Sequence, residues 1–190
     1  MNPITSFTIQ PDPAPISPRE GEENNTFIML HNKYQFGDCI FENGDTTDFE
    51  SAFKHHLAVV ENCSITDIVY LPVYMYDHSG ITINTTGFQN SWDSGQIGWI
   101  YVSKKDIRIN YKVKRISSKL QEQVKSTLVD EIELLDQYLT GDMYGFTIEH
   151  ENTINSCWGF YGSKPETNGM WEHWTVEEIL YYQEHKIEIT

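Results

Sequence analysis

Between residues 118 and 140 the apolar positions advance in steps of three and four, through Leu120, Val124, Leu128, Ile132, Leu135 and Leu139. That period predicts one long amphipathic helix, opened by Ser118 with Gln121 and ended at Gly141. The stretch DTTDFESAFKHHLAVV carries a second helical pattern, with Phe49, Phe53, Leu57 and Val60 on one face and Thr47 with Glu50 as a capping box, giving a helix over about 48–61. Ser103 with Asp106 starts a short helix to about Tyr111, and Thr175-x-x-Glu178 starts a last one.

The strands announce themselves differently. Ile68 to Tyr76 (IVYLPVYMY) is β-branched and aromatic on both faces, as a strand in the middle of a sheet is, with Pro72 requiring a bulge or an unpaired amide. Phe27 to Leu30, Ile81 to Asn84 and GQIGWIYVS are further strands, and Tyr144 to Ile148 with Ile154 to Tyr161 form a hairpin across HENT. The pattern predicts an α+β fold. Its frame is a mainly antiparallel sheet of five or six strands, packed by the long helix at about 118–140 and by shorter helices. Five of the seven prolines fall in the first eighteen residues, ahead of Glu20, Glu22 and Glu23, so residues 1–25 read as a proline-rich acidic arm and 26–190 as a single domain.

Composition narrows the picture. No run reaches the roughly 18 apolar residues of a membrane span, and MNPITSFTIQPDP has neither the basic nor the apolar region of a secretory signal. Three dispersed cysteines, Cys39, Cys63 and Cys157, fit free thiols in a reducing compartment, so a cytoplasmic location is expected. The net charge is −15, unevenly distributed. Residues 104–125 hold eight bases against Asp106 and Glu122, whereas residues 130–190 hold thirteen acids against two lysines. So acidic a chain repels nucleic acid and lipid head groups and attracts basic protein surfaces. The basic segment reads as a neutraliser of the chain's own acids rather than as a phosphate-binding patch.

Three stretches carry a family likeness: LPVYMYDHSGITINTTGF with WDSGQIGWIYVSKKDIR, then LLDQYLTGDMYGFTIE, then SCWGFYG. Their order resembles that of a family of small, mostly uncharacterised proteins encoded by bacteriophages and prophages, over about Pro18 to Gly162. The resemblance implies an accessory protein of a mobile element and assigns no reaction.

Two sets of side chains are candidates for function. Asp77 and His78 lie in an Asp-x-Ser-Gly sequence and Asp93 opens an Asp-Ser-Gly, turn sequences in which Asp and Ser bond nearby amides and glycine accepts positive φ. If they converged, they would form a carboxylate–imidazole or divalent-metal centre, and the chain would be a small metal-dependent hydrolase of nucleotides. The preferred reading is non-enzymatic, with no cofactor and no metal. Asp130, Glu131, Glu133, Asp136, Glu149, Glu151, Glu172, Glu177 and Glu178 would present carboxylates where DNA phosphates would sit. The expected partner is a host protein with a basic nucleic-acid-binding surface, a defence nuclease of the restriction or CRISPR type.

Overall fold

A computed structural model of the chain describes residues 3–21, 25–31, 33–40, 49–89 and 92–189. In chain order the strands are β1 (Ile4–Pro11), β2 (Thr26–Met29), β3 (Cys39–Ile40), β4 (Ile68–Asp77), β5 (Ile81–Asn84), β6 (Ser94–Ser103), β7 (Met143–His150) and β8 (Thr153–Tyr161). The helices are α1 (Phe49–Val59), α2 (Lys104–Asn110), α3 (Ser118–Thr140) and α4 (Val176–His185). The fold is α+β, with two sheets in place of the one anticipated, ordered β1-β7-β8 and β3-β2-β6-β4-β5. All strand pairs are antiparallel except β2 with β3. The chain divides into two compact units, Pro18–Asp136 and Met1–Ser17 with Gln137–Thr190, rather than an arm and one domain.

In the 18–136 unit, β6 is the spine. It pairs with β2 on one side and β4 on the other, and consecutive buried residues, Trp99, Ile100 and Tyr101, show that both of its faces are covered. On one face Trp99 and Tyr101 join Ile28, Leu30 and Ile68 beneath Ala52, Phe53 and Leu57 of α1, and Phe53 stacks on Trp99 with ring centroids 4.5 Å apart. The opposite face bears Phe27, Met29, Val69, Val73 and Ile100, all buried. On that side Val102, Ile107 of α2 and Val124 of α3 border one cavity of about 260 Å³. Gly98 is required at the centre of this spine: a Cβ there would lie 1.9 Å from the Ile28 carbonyl oxygen. Pro72 is tolerated because β5 pairs only with Tyr74–Asp77, leaving the β4 edge beside Pro72 without a strand among the described residues, and a register shift follows at Val73/Tyr74.

The other unit forms around its own core. Phe7 and Ile9 of β1, Phe146 and Ile148 of β7 and Phe160 of β8 meet Met170 and Trp174, with Tyr181 and Tyr182 of α4 packed against them. Trp174 stands perpendicular to Phe7 at 5.0 Å and to Phe146 at 5.5 Å between centroids, the edge-to-face arrangement aromatic quadrupoles favour.

This core corrects the reading of residues 1–25 as an arm over Ile4–Pro11, which is a strand of the sheet. Ser6, Thr8 and Gln10 alternate with buried Phe7 and Ile9, a period-two pattern that the flanking prolines obscured. Pro3 precedes the strand and Pro11 ends it, positions where a missing amide does no harm. Smaller differences concern helix ends. Ser117, one residue before the expected Ser118, accepts from the Leu120 amide at 3.2 Å, and Val60 is exposed beyond the end of α1. Thr47, the expected cap of α1, lies outside the described residues.

Two substitutions test this architecture by urea denaturation. Gly98→Ala should cost about 3 kcal/mol, because the backbone cannot yield, whereas Gly95→Ala, with open space around its Cβ, should change stability by less than about 0.5 kcal/mol. Ile9→Ala should cost about 3 kcal/mol, the penalty of a core residue and not of an arm.

Candidate functional site

Asp77 closes β4, and the chain reverses over His78, Ser79 and Gly80, with φ of 60° at Ser79 and 151° at Gly80. The Asp77 amide donates to the Asp93 carbonyl at 2.9 Å, which extends the β4–β6 ladder by one step. Neighbouring side chains on extended backbone point to opposite sides, and the pair obeys that rule. The Asp77 carboxylate accepts from Lys33 Nζ at 3.1 Å and Tyr34 Oη at 2.9 Å, and these two bonds, Lys33 first, hold its carboxyl below the usual range. His78 Nδ1 instead lies 3.3 Å from Asp93 Oδ2, in a pair with side chains 63% and 41% exposed. Asp77, His78 and Asp93 are therefore split between two contacts. Among the described residues no group of three His, Cys, Asp or Glu side chains is placed to hold a metal ion.

The nine carboxylates expected to form one acidic surface divide by what their backbone neighbours demand. Glu131 is occupied internally: it receives the Asn25 amide at 3.1 Å and the Asn25 side chain, and pairs with Arg19 at 3.1 Å. Burial, the largest influence, pushes its carboxyl above the ordinary range, against the pull of Asn25 and Arg19. Asp136 accepts from the Ile83 amide at 2.7 Å and Thr82 Oγ1 at 2.8 Å, tying α3 to β5. Glu178 is 2% exposed, and serves as the third residue of the α4 capping box. One oxygen accepts from the Thr175 amide at 2.7 Å; the other lies 3.0 Å from His150 Nε2. These three are structural. Asp130 and Glu133 of α3 and Glu149, Glu151, Glu172 and Glu177 are exposed.

The start of the basic segment, read from sequence as a neutraliser of the chain's own acids, instead borders a second polar feature of the 18–136 unit, a cavity the sequence did not announce. A cavity of about 520 Å³ is bordered by Glu61, Tyr101, Ser103, Lys104, Lys105 and Arg108 among others. Tyr101 is 3% exposed, and its Oη donates to Glu61 Oε1 at 3.0 Å. Burial first, then the Glu61 charge, raises the phenol well above its ordinary range, so it stays a protonated donor. Lys104 and Arg108, four apart on α2, share a helix face. A tyrosine in an otherwise apolar strand running into Lys-Lys-x-x-Arg was the available signal.

No protein-family model, curated protein or solved structure matches this chain.

Glu178 supplies a measurable consequence. Burial, the largest influence, acts to raise its carboxyl, yet the hydrogen bonds from Thr175, His150 and Asn155 together hold it below the ordinary value. A depressed folded pKa contributes stability that is present above the unfolded value of about 4.3 and is lost as pH falls through the folded one. Glu178→Ala should cost about 2 kcal/mol at neutral pH, with a gap to the wild type that narrows below the unfolded pKa, read from denaturation midpoints across the pH range.

Proposed function

We propose that this chain is a non-enzymatic, phage-encoded accessory protein. It inhibits a host nucleic-acid-handling defence system, of the restriction or CRISPR type, by offering carboxylates to a basic channel built for phosphates. The phage setting rests on the resemblance of the motifs quoted above, and with it comes the bacterial cytoplasm as the place of action.

The charge of one unit carries the mechanism. Residues 1–17 and 137–190 hold ten carboxylates against two lysines and no arginine, a net −8. Among the described residues seven of those glutamates, at 149, 151, 166, 172, 177, 184 and 188, are exposed. Several project from the β7–β8 hairpin and α4 of this unit, so binding there need not order the backbone that carries them. A basic channel that takes them exchanges one polyanion for another and keeps its charge compensation. Glu131, Asp136 and Glu178, already satisfied within the fold, take no part.

The test uses the immobilised full chain and a nuclease-treated bacterial lysate. A basic nucleic-acid enzyme should be retained at low salt, be released both by raised salt and by short duplex DNA, and be lost when Glu149, Glu151, Glu172 and Glu177 are all changed to Gln. Retention indifferent to salt, to DNA and to those four changes overturns the decoy. Full inhibition at substoichiometric protein overturns it in favour of turnover.

A further inference from the structure

We propose that the cavity between the end of α1 and α2 is a binding site for a small phosphate monoester with neighbouring hydroxyls, of the size of a sugar phosphate or a nucleoside monophosphate. The site lies within residues 61–108, shares no residue with the acidic surface above, and stands independently of that reading.

Its volume of about 520 Å³ falls inside the range of small-molecule pockets, roughly 300–1,000 Å³. Three cations border it in a chain that has only thirteen. Their hydrogen bonds do not consume their charge. Lys104 Nζ donates to the Thr66 carbonyl oxygen at 2.6 Å and one Arg108 nitrogen donates to the Lys104 carbonyl oxygen at 3.1 Å. Each contact uses one donor of the charged head group and leaves further N–H groups, including the guanidinium's remaining donors, for an anion. Lys105 is exposed beside them and, among the described residues, makes no ion pair.

Two carboxylates share the rim, and each is turned onto its own serine. Asp67 Oδ2 accepts from the Ser64 amide at 3.0 Å and Ser64 Oγ at 2.7 Å, and Asp106 Oδ2 accepts from Ser103 Oγ at 2.6 Å. They temper the local field without forming contact pairs with the three cations. A phosphate dianion, with three acceptor oxygens, matches several separated donors at once, which a single carboxylate cannot do.

The other end of the cavity asks for hydroxyls. Tyr101 fixes Glu61 by one oxygen, and Glu61 Oε2 accepts no hydrogen bond among the described residues. A carboxylate held in this way accepts from sugar hydroxyls, as acidic residues do in nucleotide sites. Asn62, beside it with φ of 50°, adds an amide that can donate or accept. The three cations at one end and the exposed Glu61 carboxylate at the other together select a ligand that is anionic at one end and hydroxylated at the other.

The experiment is a titration of the full chain, followed by amide NMR shifts and calorimetry, with ribose 5-phosphate, adenosine 5′-monophosphate, inorganic phosphate and ribose as probes. Ribose 5-phosphate should give saturable shifts confined to residues 61–67 and 101–108, and should bind more tightly than either phosphate or ribose. Lys105→Gln with Arg108→Gln should weaken it about tenfold or more, by removing two charge-assisted contacts, with the thermal midpoint unchanged. If the double variant is unstable, Lys105→Gln alone, at an exposed side chain, carries the same test. Glu61→Gln should weaken ribose 5-phosphate without weakening inorganic phosphate, whose binding the loss of a nearby negative charge can only favour. Tighter binding of the nucleotide than of ribose 5-phosphate assigns a nucleoside monophosphate; equal binding assigns the sugar phosphate. The absence of saturable shifts with every probe at millimolar concentration overturns the proposal, as does binding that the cation substitutions leave undiminished.

Discussion

A guanidinium removed from water must find counter-charge and acceptors, and the 18–136 unit is arranged around one that does. The Arg19 side chain is 7% exposed and lies between the carboxylates of Asp38 and Glu131. Asp38 also accepts from the Phe27 amide at 2.7 Å, and its own amide donates to the Phe27 carbonyl at 2.9 Å. One buried cation therefore fastens the segment before β2, the start of β2 and the middle of α3 to one another. An unpaired charge left in that position would cost several kcal/mol, so these contacts stand or fall as a set. Asp136 repeats the device a turn and a half along α3, where it takes the Ile83 amide at the sheet's other edge.

This requirement also sorts the acids. Charge alone treats all carboxylates of residues 130–190 as equivalent, but a buried backbone amide or cation claims the nearest one, and a claimed carboxylate is lost to any outside partner. Glu131, Asp136 and Glu178 are claimed by Arg19 with Asn25, by β5, and by Thr175 with His150. Those beyond reach of such groups keep their hydration and their long-range field. The same sorting acts on the bases. Arg19 is spent on structure, whereas Lys104 and Arg108 direct their hydrogen bonds to carbonyl oxygens and act on Asp67 through their field alone. Acidic surface and cation-rimmed cavity thus come from one principle, and each falls in a different compact unit.

The turn at Asp77 and His78 carries the same lesson at smaller scale. Its Asp, His and Ser resemble catalytic vocabulary, yet Asp77 goes to Lys33 and Tyr34 while His78 goes to Asp93. Lys33 stands 44 residues away from Asp77 along the chain, so no local pattern could have announced its claim on that carboxylate.

Periodicity by itself determined most of the elements, because helix and strand place side chains at fixed intervals that burial then selects. The buried Val124, Leu128, Ile132 and Leu135 of α3, the Thr175–Glu178 box of α4 and the apolar run of β4 are all legible in the sequence. Local pattern was silent wherever two distant segments had to agree. The pairing of β1 with β7, the division into two sheets, the close approach of Ile28 to Gly98 and the carboxylate at the foot of Tyr101 each join residues far apart in the chain. Such agreement depends on register and on which buried polar group reaches which partner first. Those are properties of the packed chain, and only the tertiary structure decided them.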